Sequence, residues 1–359
     1  MPSANRSPSG AVMEPPTELR SGRETLSVAR CREIHRYMVM TRKLDERCIK
    51  MSKSGEAYFW VGGPGEEAFN VCLGMHVRKG RGPAFDYLHL HYRNLGVLVG
   101  MDMPVLDHVR QMAMTLTDPY SMGRNFVCHY SIRDWNVIPV TSVIEVQYVM
   151  APGSALVQKR LGGEGVSVVI GGDAGTHEGD FASCMIWSSR PGQELPVLIL
   201  VTNNEWGIST SFESQHAEKR IPDRGKAFGI EGEVVDGNDA IASWHALARG
   251  FRHCRTRRKP YMIEARVSRL HGHSSSSGAG RVKEEVDALA ELERKLLDGG
   301  AMEAHEIAAV HNAAADEIEE AVRQVHTEPR PTAADVYTHT YAPSSVDCVY
   351  PEDYTGLPS

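Results

Sequence analysis

Two continuous apolar runs constrain the fold of this chain more than any other feature. The first, VSVVI, covers residues 166–170 and leads into GGDAGTHEGD, residues 171–180. The second, PVLILV, covers residues 196–201 and leads into TNN, residues 202–204, with a helical segment at 180–189 between the two runs. Strands that are apolar at every position are typical of parallel sheets with helices on both faces. The sequence therefore predicts a strand–helix–strand unit and an α/β fold.

Each predicted strand is followed by a polar side chain, Asp173 after the first and Asn204 after the second. The carboxyl ends of parallel strands meet at one edge of a sheet, which is where ligands bind in open α/β folds. Mg²⁺ takes about six oxygen ligands, of which one or two come from protein side chains and the rest from phosphates and water. We therefore predict a Mg²⁺–diphosphate site at these two side chains and a backbone carbonyl. The structural alternative is that Asp173 caps a helix and residues 203–204 form a turn.

The glycines around Asp173 are consistent with phosphate binding. Gly171, Gly172, Gly175 and Gly179 allow the backbone to approach a phosphate, and the helix that begins near residue 180 adds a positive N-terminus. Two other phosphate-binding patterns are excluded. The segment does not contain G-x-G-x-x-G, and the chain has no G-x-x-x-x-G-K-[ST].

The rest of the chain is mostly helical in pattern. Apolar residues recur at helical spacing in segments 25–53, 66–78, 145–161, 239–251, 283–298 and 303–326. Residues 261–268 alternate between apolar and polar, which predicts a strand with one less buried face. We expect a disordered tail at 1–24, a single domain at 25–345 whose C-terminal helices begin near 283, and a second tail at 346–359.

Composition narrows the function and the location. The net charge of −7 disfavours nucleic acid as a partner, and the basic run at 255–259 is interpreted as a solvated helix end. Seven scattered cysteines without C-x-x-C spacing are typical of reduced thiols. No window reaches the roughly 18 apolar residues of a membrane helix, and the N-terminal segment, rich in Ser, Pro and Arg, lacks the apolar core of a secretory signal. Its glutamates also disfavour a mitochondrial presequence. We therefore expect a cytoplasmic protein with no membrane partner.

Eight short segments occur in an order that points to one family. They are GPGEEA (63–68), HYR (91–93), GRNFVCHY (123–130), GGDAGTHEGDF (171–181), VTNNEWGIST (201–210), VDGND (235–239), RLHGHS (269–274) and DVY (335–337). Over residues 30–340 the chain resembles the alpha chain of the first, decarboxylating component of 2-oxo acid dehydrogenase complexes. The resemblance implies a thiamine-diphosphate-binding fold with a C-terminal helical extension, thiamine diphosphate and Mg²⁺ as cofactors, and oxidative decarboxylation of a 2-oxo acid.

The resemblance also implies roles for individual residues at the diphosphate. Asp173, Asn204 and the carbonyl of Trp206 would bind Mg²⁺. Tyr92 and Arg93 would hold the diphosphate, because an arginine fork suits two phosphate oxygens. Residues 174–175 belong to the cofactor-binding turn, where Ala174 stands in place of the second glycine of G-D-G and Gly175 is displaced by one position.

Three further positions match the part of the family site that surrounds the reacting atoms. His273 would lie near the diphosphate and the reacting carbon, which makes it the candidate catalytic residue. Ser142 and the backbone of Ile144 would contact the aminopyrimidine ring. The alternative is that His271 and His273 belong to a zinc site, with His89, His91 and His129 as further ligands, in a metal-dependent hydrolase.

The resemblance implies partners as well. A glutamate that assists the cofactor comes from a beta chain in this family, so two alpha and two beta chains would form the enzyme and pass the acyl group to a lipoyl-bearing transacylase. The doubled acid of GPGEEA favours a branched-chain 2-oxo acid as the substrate, and residues 58–60 could line an apolar pocket. Pyruvate or acetoin dehydrogenase alpha subunits are alternatives, as is a catalytically silent scaffold chain, because Ala174 could crowd the diphosphate.

Overall fold

A five-stranded parallel sheet forms the centre of the protein in the computed structural model, which describes residues 16–282 and 284–338. The predicted tail residues 1–15 and 346–359 lie outside these ranges. Strands are β1 Glu18–Ser21, β2 Glu24–Ser27, β3 Tyr87–His89, β4 Ser167–Gly172, β5 Val197–Asn203, β6 Trp206–Gly207, β7 Thr210–Ser211, β8 Glu231–Asp236 and β9 Tyr261–Arg266. The central sheet has the order β3-β4-β5-β9-β8, and every neighbouring pair in it is parallel.

Ten α-helices surround this sheet in the described part of the chain. They are α1 Val28–Ser54, α2 Glu67–His76, α3 Leu95–Val99, α4 Val105–Met112, α5 Gln147–Arg160, α6 Gly179–Ser188, α7 Phe212–Gln215, α8 Ala240–Arg257, α9 Ala288–Asp298 and α10 Ala304–Val325. The two C-terminal helices pack on α1, and α10 also contacts α4. None of the helices in residues 16–282 and 284–338 has the length and apolar character that crossing a bilayer requires.

The predicted strand–helix–strand unit is confirmed as β4, α6 and β5. Its two strands pair in parallel with Gly172 opposite Thr202, so both chains leave the sheet at the same edge. Alternate residues of β4 enter opposite cores: Val168 packs in one apolar cluster and Val169 in the other. Burial on both faces explains the uninterrupted apolar sequence of these strands.

The prediction for β9 was wrong in one respect. This strand lies between β5 and β8 and is buried from Met262 to Ala265, so neither face is open. Its polar Glu264 is buried because it accepts hydrogen bonds from Nδ2 of Asn203 (2.9 Å) and the backbone N–H of Ile221 (2.8 Å). A buried polar group that has partners can produce an alternating sequence without an exposed face.

The N-terminal boundary also differs from the prediction. The segment expected to be the end of a disordered tail forms a hairpin of β1 and β2. Leu19 and Leu26 are buried against the main core, and Ser21 donates to Asp239. Asp239 in turn caps α8 by accepting from two backbone N–H groups of its first turn. Residues 18–24 of the expected tail are therefore part of the folded domain.

Candidate active site

Asp173 leaves the end of β4 and is buried. It stands before a short 3₁₀ helix, Ala174–His177, but its side chain makes no capping hydrogen bond. Its Oδ2 atom has no hydrogen-bond partner among the described residues. Burial raises the pKa of this carboxyl, an effect that the nearby backbone N–H of Asn204 opposes. The helix-cap alternative therefore has no support here, and one carboxylate oxygen is left without a partner.

The end of β5 forms a turn that both asparagines shape. Oδ1 of Asn203 accepts from the N–H of Glu205 (3.0 Å), and Oδ1 of Asn204 accepts from the N–H of Trp206 (3.2 Å). The alternative prediction that residues 203–204 form a turn is thus confirmed. The same turn holds Trp206 beside Asn204. An amide oxygen has two lone pairs, so Oδ1 of Asn204 retains capacity for a second partner.

Glu66, which the sequence indicated only as part of the doubled acid of GPGEEA, contacts this turn through Asn204. It is buried and accepts from Nδ2 of Asn204 (3.3 Å) and Nδ2 of Asn70 (3.4 Å). Burial raises its pKa to about 7. The next residue, Glu67, accepts from Nε of the buried Arg42 (2.5 Å). Both acids of GPGEEA therefore have hydrogen-bond partners inside the protein. The only sequence signal for this role was the occurrence of two adjacent acids after a glycine turn.

Tyr92, Arg93 and His273 lie in contact with one another. Nη2 of Arg93 lies 2.7 Å from Nδ1 of His273, and Nη1 donates to the carbonyl of Gly62 at 2.5 Å. The ring of Tyr92 meets the His273 ring edge-on, with 6.1 Å between centroids. Burial and the charge of Arg93 lower the pKa of His273 to about 4. His273 is therefore neutral near pH 7, with Nδ1 as acceptor and the proton on Nε2.

The predicted aminopyrimidine contacts lie on one loop, residues 141–146. Oγ of Ser142 is 2.6 Å from Nε2 of His129, whose ring stacks at 6.5 Å on Tyr92. Ile144 is exposed, so a neighbouring ligand can reach it without displacing a packed side chain. His129 therefore connects Ser142 to Tyr92 and its neighbours Arg93 and His273.

Glu145 is a second residue that sequence reasoning missed. It has a left-handed backbone, φ 59°, and is buried, with Oε1 accepting from the N–H of Gly172 (3.1 Å). A Cβ on Gly171 or on Gly175 would lie 1.9 Å from its carboxylate oxygens. Burial raises the pKa of Glu145 to about 8. Glycine is therefore required at residues 171 and 175 because the Glu145 side chain occupies the space beside them. A single acidic residue in a loop gives no sequence signal of such a contact.

The other two glycines and Ala174 fit an open approach to Asp173. A Cβ on Gly172 or on Gly179 would meet nothing within 4 Å. The methyl group of Ala174 is directed at Gly207, because a Cβ built there would lie 2.5 Å from it. The glycine at residue 207 thus makes room for the alanine at residue 174.

Comparison with known proteins places the chain in a family. Residues 35–334 match the sequence model of a family described as dehydrogenase E1 component. The chain belongs to this family. The predicted recognition and the predicted α/β class with a parallel sheet are therefore confirmed.

Three relatives illustrate the similarity. The 2-oxoisovalerate dehydrogenase subunit alpha of Bacillus subtilis is 28% identical over 311 residues, which cover 80% of this chain and 90% of the relative. The mitochondrial 2-oxoisovalerate dehydrogenase subunit alpha of Mus musculus is 26% identical over 318 residues, covering 86% and 70%. The pyruvate dehydrogenase E1 component subunit alpha of Bacillus subtilis is 27% identical over 319 residues, covering 86% and 81%.

Among the described residues, the five histidines of the alternative zinc site do not form a metal-binding group, and three of them have separate partners. Nε2 of His89 lies 3.0 Å from Oγ of Ser154, His129 contacts Ser142, and His273 contacts Arg93.

The aromatic residues 58–60, which could have lined a substrate pocket, have different surroundings. Tyr58 is exposed, whereas Trp60 is buried and donates from Nε1 to Asp45 at 3.0 Å. These three aromatic residues do not form one pocket wall.

Proposed function

We propose that this chain is the alpha subunit of a thiamine-diphosphate- and Mg²⁺-dependent dehydrogenase that decarboxylates a 2-oxo acid, with branched-chain acids favoured. Family membership supports thiamine diphosphate and a beta subunit. The observation that carries the proposal is the partnerless Oδ2 of Asp173, buried at the end of β4 beside Asn204 at the end of β5. A buried carboxylate oxygen without a donor suits a hard cation such as Mg²⁺.

The donor set fits the cofactor's metal and diphosphate. Asp173, Oδ1 of Asn204 and the carbonyl of Trp206 would bind Mg²⁺, which leaves the other positions to phosphate oxygens and water. The open backbone at Gly172 and the N-terminus of the ten-residue helix α6 would face the diphosphate. Ala174 and Gly175 complete that turn, and the methyl group of Ala174 packs toward residue 207, away from the open side.

Tyr92 and Arg93 would bind the far side of the diphosphate. Arg93 already uses two of its nitrogens on Gly62 and His273, and the remaining N–H groups of its guanidinium can donate to phosphate oxygens. Ser142 and the backbone of Ile144 would orient the aminopyrimidine. When bound, thiamine diphosphate supplies the thiazolium that accepts the electrons released as carbon dioxide leaves.

His273 is the proposed catalytic residue of this chain. Its Nδ1 is held by Arg93, so its proton lies on Nε2 and the ring stays neutral near pH 7. A neutral imidazole can donate a hydrogen bond to a substrate oxygen without placing a second positive charge beside Arg93. The beta subunit would supply the glutamate that assists the cofactor, and the acyl group would pass to a lipoyl-bearing transacylase.

The names of the relatives support the branched-chain substrate. Two of the three relatives described above are 2-oxoisovalerate dehydrogenase subunits, and one is a pyruvate dehydrogenase subunit. The acids of GPGEEA do not separate these alternatives, because Glu66 and Glu67 both have structural partners. A cytoplasmic location is part of the proposal, and it is supported by six buried free cysteines in the described ranges.

The test is co-expression with the beta subunit, assembled as two alpha and two beta chains. Carbon dioxide release from branched-chain 2-oxo acids and pyruvate is measured with thiamine diphosphate, Mg²⁺ and an artificial electron acceptor. Acetoin has no carboxyl group, so its turnover is followed by reduction of the acceptor alone, and cofactor binding is measured separately by calorimetry. We expect turnover and binding in the wild type and loss of both in Asp173→Ala and Asn204→Ala. A complex that assembles but neither binds the cofactor nor turns over would overturn the proposal in favour of a scaffold chain.

A further inference from the structure

Three helices far from the candidate active site direct one metal-binding side chain each to a common point. They are His35 on α1, Glu293 on α9 and His311 on α10, and their ligand atoms all lie within 4.8 Å of one another. Oε1 of Glu293 is 3.0 Å from Nε2 of His35 and 2.6 Å from Nε2 of His311. The two imidazole rings meet edge-on, with centroids 6.2 Å apart. In the described ranges no other three histidine, cysteine or acidic side chains meet this spacing.

The cluster has a buried base and an open side. The side chain of His35 is fully buried, whereas those of Glu293 and His311 are 22% and 26% exposed. An ion can therefore enter past His311 and meet a preset imidazole beneath it. Nδ1 of His35 has no partner among the described residues, so Glu293 alone influences which ring nitrogen of His35 carries the proton.

The charges around Glu293 leave room for a cation. Its neighbours on α9 are engaged elsewhere: Arg294 pairs with Glu291 and Lys295 pairs with Asp239. Within the described residues, the ion pairs of Glu293 are with the two histidines alone, and neither ring carries a fixed positive charge. A partly buried carboxylate that lacks an arginine or lysine partner is stabilised more by a divalent ion than a carboxylate that already forms such an ion pair.

We propose that His35, Glu293 and His311 form a binding site for a divalent transition metal ion of the zinc class, separate from the cofactor's Mg²⁺. Two imidazoles and one carboxylate are a zinc donor set with a fourth position left for water. Donors on one face of a tetrahedral zinc site are about 3.3 Å apart. The separations of Oε1 of Glu293 from the two ring nitrogens are hydrogen-bond lengths below that spacing, so zinc binding requires rotation of the partly exposed side chains of Glu293 and His311.

The site links parts of the chain that are distant in sequence. Helix α9 follows the loop that carries His273, and its N-cap Asp287 accepts from both Nη atoms of Arg42 on α1 at 3.0 Å. Glu293 lies six residues after Asp287, so an ion at the cluster would connect α9 to α1 and α10 at a second point. Binding of the ion to the folded chain alone therefore stabilises this three-helix contact.

The experiment uses the full-length chain in complex with its beta subunit, freed of metal by chelation and titrated with ZnCl₂ or CoCl₂ without thiamine diphosphate. Tetrahedral Co²⁺ has intense visible absorption, so the spectrum reports the coordination as well as the stoichiometry. We expect one site per alpha chain, a higher midpoint of thermal unfolding with zinc, and no competition by Mg²⁺, which prefers oxygen ligands.

Two variants and one control make the test specific. His311→Ala removes a partly exposed ligand, and Glu293→Gln keeps an acceptor for the two rings while removing the charge that zinc requires. We expect each to weaken Co²⁺ binding at least tenfold and to lose the visible bands. His305→Ala, on the same helix and 77% exposed, should bind like the wild type. Equal binding in the wild type and both variants, or none in the wild type, overturns the proposal, and circular dichroism verifies that each variant is folded.

Discussion

Nη2 of Arg93 lies 2.7 Å from Nδ1 of His273, although the two residues are 180 positions apart in the chain. The contact determines both the tautomer and the charge of the histidine. Burial and this cation together lower the pKa of His273 to about 4, so the ring is neutral near pH 7. A positively charged residue that prevents protonation of its neighbour is a specific and testable arrangement.

Arg93→Ala should raise the pKa of His273. The charge that opposes the imidazolium is removed, so the value moves from about 4 toward the ordinary 6.5. The measurement is an NMR titration of the histidine ring signals in the cofactor-free chain, with His273→Asn to assign the resonance. Arg323→Ala, on the exposed face of α10, is the control and should leave the titration unchanged. An unchanged pKa in Arg93→Ala would show that burial alone determines it.

Glu66→Ala should weaken cofactor binding without abolishing folding. The carboxylate accepts from Nδ2 of Asn204 and so directs Oδ1 of that amide away from itself, toward the side where the metal would bind. Loss of a group that orients a metal ligand commonly costs 10–100-fold in affinity. We expect about a tenfold rise in the apparent Kd for thiamine diphosphate with Mg²⁺, measured by calorimetry. Glu66→Gln retains an acceptor and should recover part of the loss, whereas Glu66→Met, which fills similar space without an acceptor, should not.

Glu145→Gln should remove a pH dependence of stability. The pKa of Glu145 is about 8 in the folded chain against an ordinary 4.5, so the folded state binds the proton more tightly than the unfolded state. Its stabilising contribution is complete below the ordinary value and is lost as the pH rises through about 8. Between about pH 5 and pH 8 the cofactor-free wild type should lose roughly 3 kcal/mol more than the variant.

The measurement for Glu145 is urea unfolding of both proteins at each pH. Glu317→Gln, an exposed change on α10, should show the wild-type slope. Parallel slopes in Glu145→Gln and the wild type would mean that Glu145 does not titrate in this range. The comparison uses the pH dependence rather than the absolute stability, because the glutamine also changes the hydrogen bond to Gly172.

Gly175→Ala should destabilise the cofactor-free fold, whereas Gly172→Ala should not. The added Cβ at residue 175 would lie 1.9 Å from Oε1 of Glu145, and at residue 172 it would meet nothing within 4 Å. Overpacking a tight site costs about 1–3 kcal/mol, and denaturant unfolding measures it. Combining Gly175→Ala with Glu145→Ala should restore part of the loss, because the clash has a single partner. Equal effects of the two glycine substitutions would contradict the packing described here.

Local signals account for what could be predicted. The unit β4–α6–β5 was predicted because strands buried on both faces are apolar at each position, and α8 because an aspartate precedes its apolar repeat. The prediction for β9 failed since Glu264 is buried through bonds to Asn203 and Ile221, which an alternating pattern cannot distinguish from exposure. The hairpin at 18–27 was missed because two four-residue strands carry little periodicity.

The sequence by itself determined the β4–α6–β5 unit, the longer helices and the residues that follow these two strands. Hydrophobic period and capping depend only on neighbours along the chain, so they can be read directly. Only the tertiary structure decided that Glu66 supports Asn204 across 138 residues and that Glu145 fills the space at Gly171 and Gly175. Those contacts depend on how separate elements pack against one another. Burial then shifts the pKa of each carboxyl after the fold has formed.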